Sequence, residues 1–388
     1  MKRFTGLMAA LIFLFGLFPM KAQAVELDVE GKSALLMDVE TGTVLYEKNA
    51  HEKLSPASVT KVMTMLLIME AIDSGKIGWN DMVTASESAA AKGGSQIYLK
   101  VGEQMSVTDM LKSIAVSSAN DCACAMAEHI AGSEAAFVEM MNRRAKELGM
   151  NDTNFVNCTG LDDGDAAVNH KTSAYDIALM SRELLKNHPD IKKFTTIWMD
   201  TVRNGAFGLS NTNKLVRFYS GCTGLKTGFT SGAGYCLSSS AQREGMELIA
   251  VVMGCETSNI RTAACKGMLD YGFANFALVT PTLEDVPPVP VTLGTSDTVK
   301  LIPEGTAGLL IDKAQKGSIT TEISTEESVS APVAKGQQLG TMTVKSGETV
   351  LAQIPLVAAE DIPRLTWWDL FLQVLRQTAM AKDQDGKF

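Results

Sequence analysis

Ser58 and Lys61 are the first two side chains in the sequence whose types and spacing suit nucleophilic chemistry. They begin a predicted helix, in which positions i and i+3 share one face and lie about 5–6 Å apart at Cβ. A serine hydroxyl is a weak nucleophile that needs a base. A lysine can be that base when burial or a nearby cation lowers its pKa. Alone, S-x-x-K is common by chance, and a helix-starting serine beside a solvated lysine also explains it.

A second polar pair, Ser118 and Asn120, enters a helical stretch that is otherwise rich in alanine and cysteine. Buried serine and asparagine side chains need hydrogen-bond partners, so this pair is unusual for a plain core. We therefore treat Ser118 and Asn120 as candidates for the same site as Ser58 and Lys61.

The third motif is Lys226-Thr227-Gly228. Gly228 removes a side chain where the backbone of a ligand can pair with a strand edge. Lys226 supplies a cation that can lower the pKa of Lys61 and attract an anionic substrate. Each motif is weak alone, but the ordered set S-x-x-K, S-x-N and K-T-G, separated by 60 and 108 residues, is specific.

The elements that must position these motifs alternate between strands and helices. A glycine turn within 33–47 predicts a β-hairpin, and apolar residues at helical spacing predict a helix from Ser58 to Ile72 that Gly75 ends. Further helical patterns cover about 106–131, 133–148, 172–187 and 257–277, and strand patterns cover 200–226, 233–240 and 246–253. This order predicts an α+β domain.

The composition changes after Leu278, where four prolines mark a linker. Short alternating strands follow to about residue 359 and predict a small all-β domain. Residues 365–380 then place Leu365, Trp368, Phe371, Leu372 and Leu375 on one helical face. Paired tryptophans suit a membrane interface, although a helix docked on the β domain has the same pattern. The predicted domains are 1–24, 25–280, 281–362 and 363–388.

Residues 1–24 have the layout of a secretory signal peptide. Lys2 and Arg3 precede an apolar run from Leu7 to Met20, and the stretch ends in Ala22-Gln23-Ala24. The run is short for a membrane span, which needs about 20 apolar residues. We therefore expect export with cleavage before Val25.

The charge balance and the histidine count exclude several classes of site. The net charge is −9, and the three basic residues of 1–24 leave −12 for the remainder, which argues against a nucleic-acid partner. The chain has four histidines and no H-E-x-x-H motif, so we expect no metal and no cofactor. The seven cysteines are an odd, sparse set, and Cys122 and Cys124 are best explained as small apolar filling of a helix.

The stretches around the three motifs resemble the D-alanyl-D-alanine carboxypeptidases, which are low-molecular-mass penicillin-binding proteins. The stretches that carry the likeness are SPASVTKVMT at 55–64, GGSQ at 93–96, SAND at 118–121, GLD at 160–162, HKTSA at 170–174 and GLKTGFT at 224–230. The likeness covers about residues 27–278. It implies a penicillin-binding/β-lactamase-like catalytic domain with an antiparallel sheet and a helical block, then a small all-β domain and a C-terminal amphipathic helix.

The resemblance also implies roles for individual residues. Ser58 becomes the acylated nucleophile, Lys61 its base and Ser118 a proton relay to the leaving group. The substrate-binding residues become Asn120, Lys226, Thr227, Gly228, Phe229 and Arg261, and the N–H groups of Ser58 and Phe229 form the oxyanion hole. Arg261 also fits an ordinary arginine on a helix surface. The chain departs from the family pattern at two positions. Family members often have Gly where this chain has Ala119, and Arg where it has Thr212.

The implied activity is removal of the terminal D-alanine from peptidoglycan stem pentapeptides through an acyl-enzyme on Ser58. β-Lactams are the implied inhibitors, and the implied location is the outer face of the cytoplasmic membrane, whose surface the C-terminal helix contacts. One alternative is a β-lactamase, for which Glu183 and Asn187 have a superficially suitable spacing. The other is a wall-binding protein at the membrane surface that has no catalytic activity.

Overall fold

The structure, a computed structural model, describes residues 27–162, 164–280, 286–305, 308–372 and 374–375. The strands are β1 Ser33–Asp38, β2 Val44–Lys48, β3 Met82–Thr84, β4 Gln104–Ser106, β5 Met199–Val202, β6 Phe207–Ser210, β7 Cys222–Thr230, β8 Gly234–Arg243, β9 Met246–Cys255, β10 Phe276–Val279, β11 Val289–Thr292, β12 Thr298–Val299, β13 Leu301–Pro303, β14 Leu309–Asp312, β15 Ile319–Thr325, β16 Val329–Ser330, β17 Gln338–Ser346 and β18 Thr349–Ala358. The α-helices are α1 Lys61–Asp73, α2 Glu87–Ala90, α3 Val107–Ser117, α4 Asn120–Ala131, α5 Glu134–Glu147, α6 Ala174–Asn187, α7 Lys192–Thr195, α8 Leu215–Phe218 and α9 Ser258–Asn275. Short 3-10 helices cover Ala57–Thr60, Asp165–Asn169, Pro189–Ile191 and Lys313–Ser318.

A five-stranded antiparallel sheet in the order β2-β1-β9-β8-β7 is the centre of the first domain. Successive strand side chains point to opposite faces, so Leu35 and Leu36 of β1 belong to two different cores. One core lies between the sheet and α9, and the other lies between the sheet and the helical block. The α+β fold predicted from the sequence is confirmed, and β7 is an edge strand of this sheet.

The helical block contains α1, α3, α4, α5 and α6. Helix α1 is buried on nearly all sides, because α3, α4, α5 and α6 all pack against it. The helical pattern at 106–131 is interrupted in the structure, because Ser118 has the left-handed φ of 63° and separates α3 from α4. The prediction of continuous helix there was wrong at Ser118, and the break lies at a candidate site residue.

The strands after the linker form a third core, separate from the two of the first domain. Sheets in the orders β12-β11-β16 and β13-β18-β17-β15 enclose it, and it includes Val291, Met342 and Leu356. Strand β10, which follows α9, pairs with β14 and connects the two parts of the chain. The predicted all-β domain is therefore confirmed.

The two ends of the chain are described only in part. The predicted signal peptide, residues 1–24, lies outside the described residues, as does the tail from 376 onward. Residues 367–372 are helical, and Trp367, Trp368 and Phe371 are exposed. No helix within the described ranges is long and apolar enough to cross a membrane.

Candidate active site

Ser58 and Lys61 lie at the junction between the 3-10 helix Ala57–Thr60 and α1, beneath the central sheet's edge. Lys61 is 0% exposed, and its Nζ lies 3.1 Å from Ser58 Oγ and 2.8 Å from the carbonyl oxygen of Thr159. Burial, which disfavours the ammonium form, lowers the pKa of Lys61 to about 7. A substantial fraction of Lys61 is therefore neutral near pH 7 and able to accept the hydroxyl proton.

Ser118 and Asn120 bring two uncommitted polar atoms to the site. Ser118 Oγ and Asn120 Oδ1 are buried and have no hydrogen-bond partner among the described residues. The amide nitrogen of Asn120 donates to the carbonyl of Gly93 at 2.8 Å, which fixes the orientation of the side chain. Leaving a buried polar atom unpaired costs about 1–3 kcal/mol, so these two atoms are available for a bound substrate.

Lys226 is fully buried on β7, and its Nζ donates to the carbonyl of Thr227 at 2.8 Å. Burial, and then repulsion by the cations of Lys61 and Arg261, lowers the pKa of Lys226. The sequence suggested that Lys226 would lower the pKa of Lys61, but the main cause at Lys61 is its own burial. Thr227 Oγ1 lies 2.6 Å from the hydroxyl of Thr212, the residue that stands at the departure from the family pattern.

Close packing gives a second reason for a glycine at Gly228, in addition to the pairing with a ligand backbone that the sequence suggested. A Cβ at this position would lie 2.6 Å from the carbonyl oxygen of Pro56 and 3.0 Å from the backbone nitrogens of Ser58 and Val59. Real Cβ atoms do not approach backbone atoms this closely. The glycine is therefore required because β7 packs directly against the turn that carries Ser58.

Phe229 and Arg261 both lie next to Gly228, the first as its chain neighbour and the second through a hydrogen bond. Phe229 is 52% exposed, and its ring lies 4.2 Å from that of Tyr235. Arg261 is 6% exposed and donates to the carbonyls of Gly228 at 3.3 Å and Cys236 at 3.4 Å, while its Nε has no partner among the described residues. The reading of Arg261 as an arginine on a helix surface is excluded by this burial.

The loop Asn157–Gly160 was missed as a part of the site. Its Thr159 carbonyl orients Lys61, and a Cβ on Gly160 would lie 1.8 Å from the carbonyl oxygen of Ala57. The sequence pointed to this loop only through the family resemblance of the GLD stretch at 160–162. The contact between Lys61 and Thr159 joins residues almost a hundred positions apart, and such a contact leaves no periodic pattern. The structure thus adds Thr159 and Gly160 to the residues that contact Lys61 and the turn carrying Ser58.

We expect Gly160→Ala to destabilise the protein much more than Gly149→Ala does. Both glycines have left-handed φ angles, 81° and 76°, so each alanine costs about 1–2 kcal/mol for that conformation. Only the Cβ at 160 collides with backbone, which adds about 1–3 kcal/mol or more. Thermal unfolding of the two variants measures the difference. Equal losses of stability would contradict the packing of this loop on the 3-10 helix Ala57–Thr60.

One group of side chains in the described ranges, Glu70, Glu183 and His188, is close enough to hold an ion. The guanidinium of Arg144 already contacts Glu70 at 2.7 Å and Glu183 at 2.6 Å, so these carboxylates are neutralised by the protein itself. The seven cysteines form no disulfides; six are buried and Cys222 is half-buried. Cys122 and Cys124 lie in α4 as predicted.

Comparisons with known proteins agree with this geometry. A family model described as D-alanyl-D-alanine carboxypeptidase matches residues 20–257, and one described as penicillin-binding protein 5, C-terminal domain, matches residues 284–364. D-alanyl-D-alanine carboxypeptidase DacF of Bacillus subtilis is 46% identical over 345 residues, which are 87% of this chain and 87% of the relative. D-alanyl-D-alanine carboxypeptidase DacC of Escherichia coli is 36% identical, over 92% of this chain and 91% of the relative.

Solved structures are similar over 64% to 87% of the chain. Penicillin binding protein 5 from Haemophilus influenzae has a TM-score of 0.73 and 32% identity, covering 87% of this chain and 98% of that one. Penicillin-binding protein D2 from Listeria monocytogenes, solved in an ampicillin-bound form, has a TM-score of 0.58 and 32% identity, covering 64% of this chain and 99% of that one.

Proposed function

Because this chain belongs to the D-alanyl-D-alanine carboxypeptidase family, we propose that Ser58 attacks the bond between the two terminal D-alanines of a peptidoglycan stem pentapeptide. The chain is a serine-type D-Ala-D-Ala carboxypeptidase. The observation that carries the assignment of Ser58 is its 3.1 Å contact with Lys61, the buried lysine whose pKa is lowered to about 7. A base with that pKa is matched to chemistry near neutral pH.

In the proposed reaction, neutral Lys61 takes the proton of the Ser58 hydroxyl as Oγ bonds to the carbonyl carbon of the penultimate D-alanine. The backbone N–H groups of Ser58 and Phe229 bind the oxyanion. Ser118, whose Oγ is uncommitted, gives its proton to the nitrogen of the departing D-alanine and receives in return the proton that Lys61 took from Ser58. Water then hydrolyses the acyl-enzyme and restores the Ser58 hydroxyl.

The remaining site residues bind the substrate in this proposal. Asn120 Oδ1 is unpaired among the described residues and suits a substrate amide N–H. Lys226, Thr227 and Gly228 line the strand against which the terminal D-alanine lies. Arg261 supplies positive charge for its carboxylate in this proposal, since its guanidinium donates to the Gly228 carbonyl.

We expect a β-lactam to acylate Ser58, because its amide resembles the D-Ala-D-Ala bond. We expect the resulting adduct to hydrolyse slowly. The related Listeria protein was solved in an ampicillin-bound form. Intact-mass spectrometry after mixing with penicillin should show one adduct per chain, and peptide mapping should place it on Ser58. Adduct decay is the discriminating measurement, because rapid turnover would favour the β-lactamase alternative.

The surroundings of Glu183 argue against that alternative. A class A β-lactamase needs a glutamate that activates water. Here Glu183 Oε1 lies 2.6 Å from Arg144, and its other oxygen accepts from Asn187 at 2.9 Å. The complete set of polar side chains around Ser58 likewise argues against a wall-binding protein without activity.

We also propose that residues 1–24 direct export, that the catalytic and β domains span 25–280 and 281–362, and that 363–388 bind the outer face of the cytoplasmic membrane. The exposed rings of Trp367, Trp368 and Phe371 support the membrane contact, since aromatic rings suit the interface between lipid and water.

Removing residues 363–388 is expected to release the protein from membranes without loss of D-alanine release in solution. Vesicle flotation of the full mature chain and of the chain ending at 362 measures this. A variant with Trp367, Trp368 and Phe371 replaced by alanine should behave like the truncation. Retention of the truncated chain on vesicles would show that the anchor lies elsewhere.

A further inference from the structure

His170 lies beneath the nucleophile turn, the 3-10 helix Ala57–Thr60, although 110 residues separate it from Thr60. Its ring is buried, packs edge-on against Phe155 at 5.7 Å, and places Nε2 2.7 Å from Thr60 Oγ1. The mechanism above gives this histidine no proton to move. Its contacts instead point to an effect on Ser58 through the backbone of the turn.

The tautomer of His170 follows from a fixed donor. The backbone N–H of Val156 points to Nδ1 at 3.1 Å, and a backbone N–H can only donate. Nδ1 therefore carries the lone pair, and the ring proton is on Nε2, which donates to Thr60 Oγ1. The Thr60 hydroxyl in turn donates to the carbonyl of Ala57 at 2.8 Å. The chain of hydrogen bonds runs in one direction, from Val156 to Ala57.

A neutral ring is the form that these contacts require. Burial, and then the cations of Lys171 and Lys61, lowers the pKa of His170 to about 4. Protonation would place a second hydrogen opposite the Val156 N–H and break the chain at its first link. The ring therefore remains neutral across the pH range in which Lys61 changes its charge.

Ala57, the residue immediately before Ser58, is where this chain of hydrogen bonds ends. Its φ is +48°, a left-handed conformation that costs a non-glycine residue free energy and that the surroundings must hold. The Thr60 hydroxyl donates to the Ala57 carbonyl, and the backbone of Gly160 packs closely against both groups. The direction of that peptide fixes where the Ser58 nitrogen and side chain point.

We propose that His170 is a positioning residue that holds the nucleophile turn, through the Thr60 hydroxyl, in the form in which Ser58 can be acylated. This inference rests on the proposed role of Ser58 as the nucleophile. It assigns His170 and Thr60 no contact with the substrate, so their effect is on the rate of bond formation at Ser58.

The test compares Thr60→Val, which keeps the shape and loses the hydroxyl, with Thr60→Ser, which keeps the hydroxyl. His170→Phe removes both ring nitrogens, and His129→Phe, at an exposed position, is the matched control. Each protein is mixed with a fluorescent penicillin, and both the second-order rate constant of labelling and the final labelled fraction are measured. Thermal unfolding is recorded beside them.

The second-order rate constant of labelling should be about 10- to 100-fold lower in Thr60→Val and His170→Phe than in the wild type, as expected for loss of one oriented hydrogen bond. Their final labelled fraction should remain near one label per chain, and the midpoint of the pH–rate profile should remain at the value for the wild type. Thr60→Ser and His129→Phe should label within about threefold of the wild type. The pair at Thr60 decides the matter if His170→Phe does not fold.

The proposal would be overturned by a wild-type labelling rate in Thr60→Val or in folded His170→Phe, or by a loss in Thr60→Ser as large as in Thr60→Val. A lower labelled fraction at an unchanged rate would also overturn it, since that is the signature of a purely structural role. If the wild type itself carries no label on Ser58, the assignment of the nucleophile is wrong, and that outcome is distinct from the others.

Discussion

Ser58→Ala is expected to abolish the release of D-alanine from a stem pentapeptide, with a loss in kcat of at least about 10³-fold. Alanine removes the atom that forms the acyl-enzyme, and the other serine of the site, Ser118, belongs to a different element. The measurement is D-alanine production by the purified chain from residue 25 to 362, together with penicillin labelling. The variant should also show no adduct.

A matched control for this experiment is Ser74→Ala at the far end of α1. Ser74 is exposed and its hydroxyl donates to the carbonyl of Ala71, so loss of that hydroxyl should leave D-alanine release unchanged. Thermal unfolding should show that Ser58→Ala is folded, because Ser58 Oγ makes one contact, with Lys61. Residual D-alanine release near that of the wild type would mean that Ser58 is not the nucleophile.

The sequence predicted the elements around Ser58 because they leave local patterns. The helix from Ser58 to Ile72 corresponds to the 3-10 turn and α1, and the two strand patterns at 233–240 and 246–253 correspond to β8 and β9. Periodicity reports which face of an element is apolar, and in these segments it was sufficient. The order of the three motifs then indicated the resemblance to the D-alanyl-D-alanine carboxypeptidases.

The sequence could not predict contacts made between distant backbones. At Gly228 the sequence suggested pairing with a ligand backbone, but it did not indicate that β7 also touches the turn that carries Ser58. The break at Ser118 escaped prediction because its flanking residues continue a helical apolar pattern. Burial of Arg261 depends on the packing of α9 against β8 and β9, which the sequence of α9 alone does not specify.

The proposed role of Lys61 as the base leads to the second large expected effect, on the rate of acylation. Only the neutral amine of Lys61 can accept the Ser58 proton, so acylation should rise with pH through a midpoint of about 7 and level off above it. The acylation rate of Lys61→Arg at pH 7 should be about 10²- to 10⁴-fold lower than that of the wild type, because a guanidinium stays protonated. Penicillin labelling rates from pH 6 to 10 measure both. Lys76→Arg, at an exposed lysine just beyond α1, is the matched control.

Stability provides an independent check on the same group. A lysine whose pKa is lower in the folded chain binds its proton more weakly there than in the unfolded chain. Its contribution to stability therefore falls as the pH drops from 10.5 toward 7 and is constant below that range. Lys61→Met, which removes the charge and keeps the length, should flatten this part of the stability profile while it abolishes acylation. A flat rate profile in the wild type across pH 6–10, or an unchanged stability profile in Lys61→Met, would show that Lys61 does not titrate there and that another group is the base.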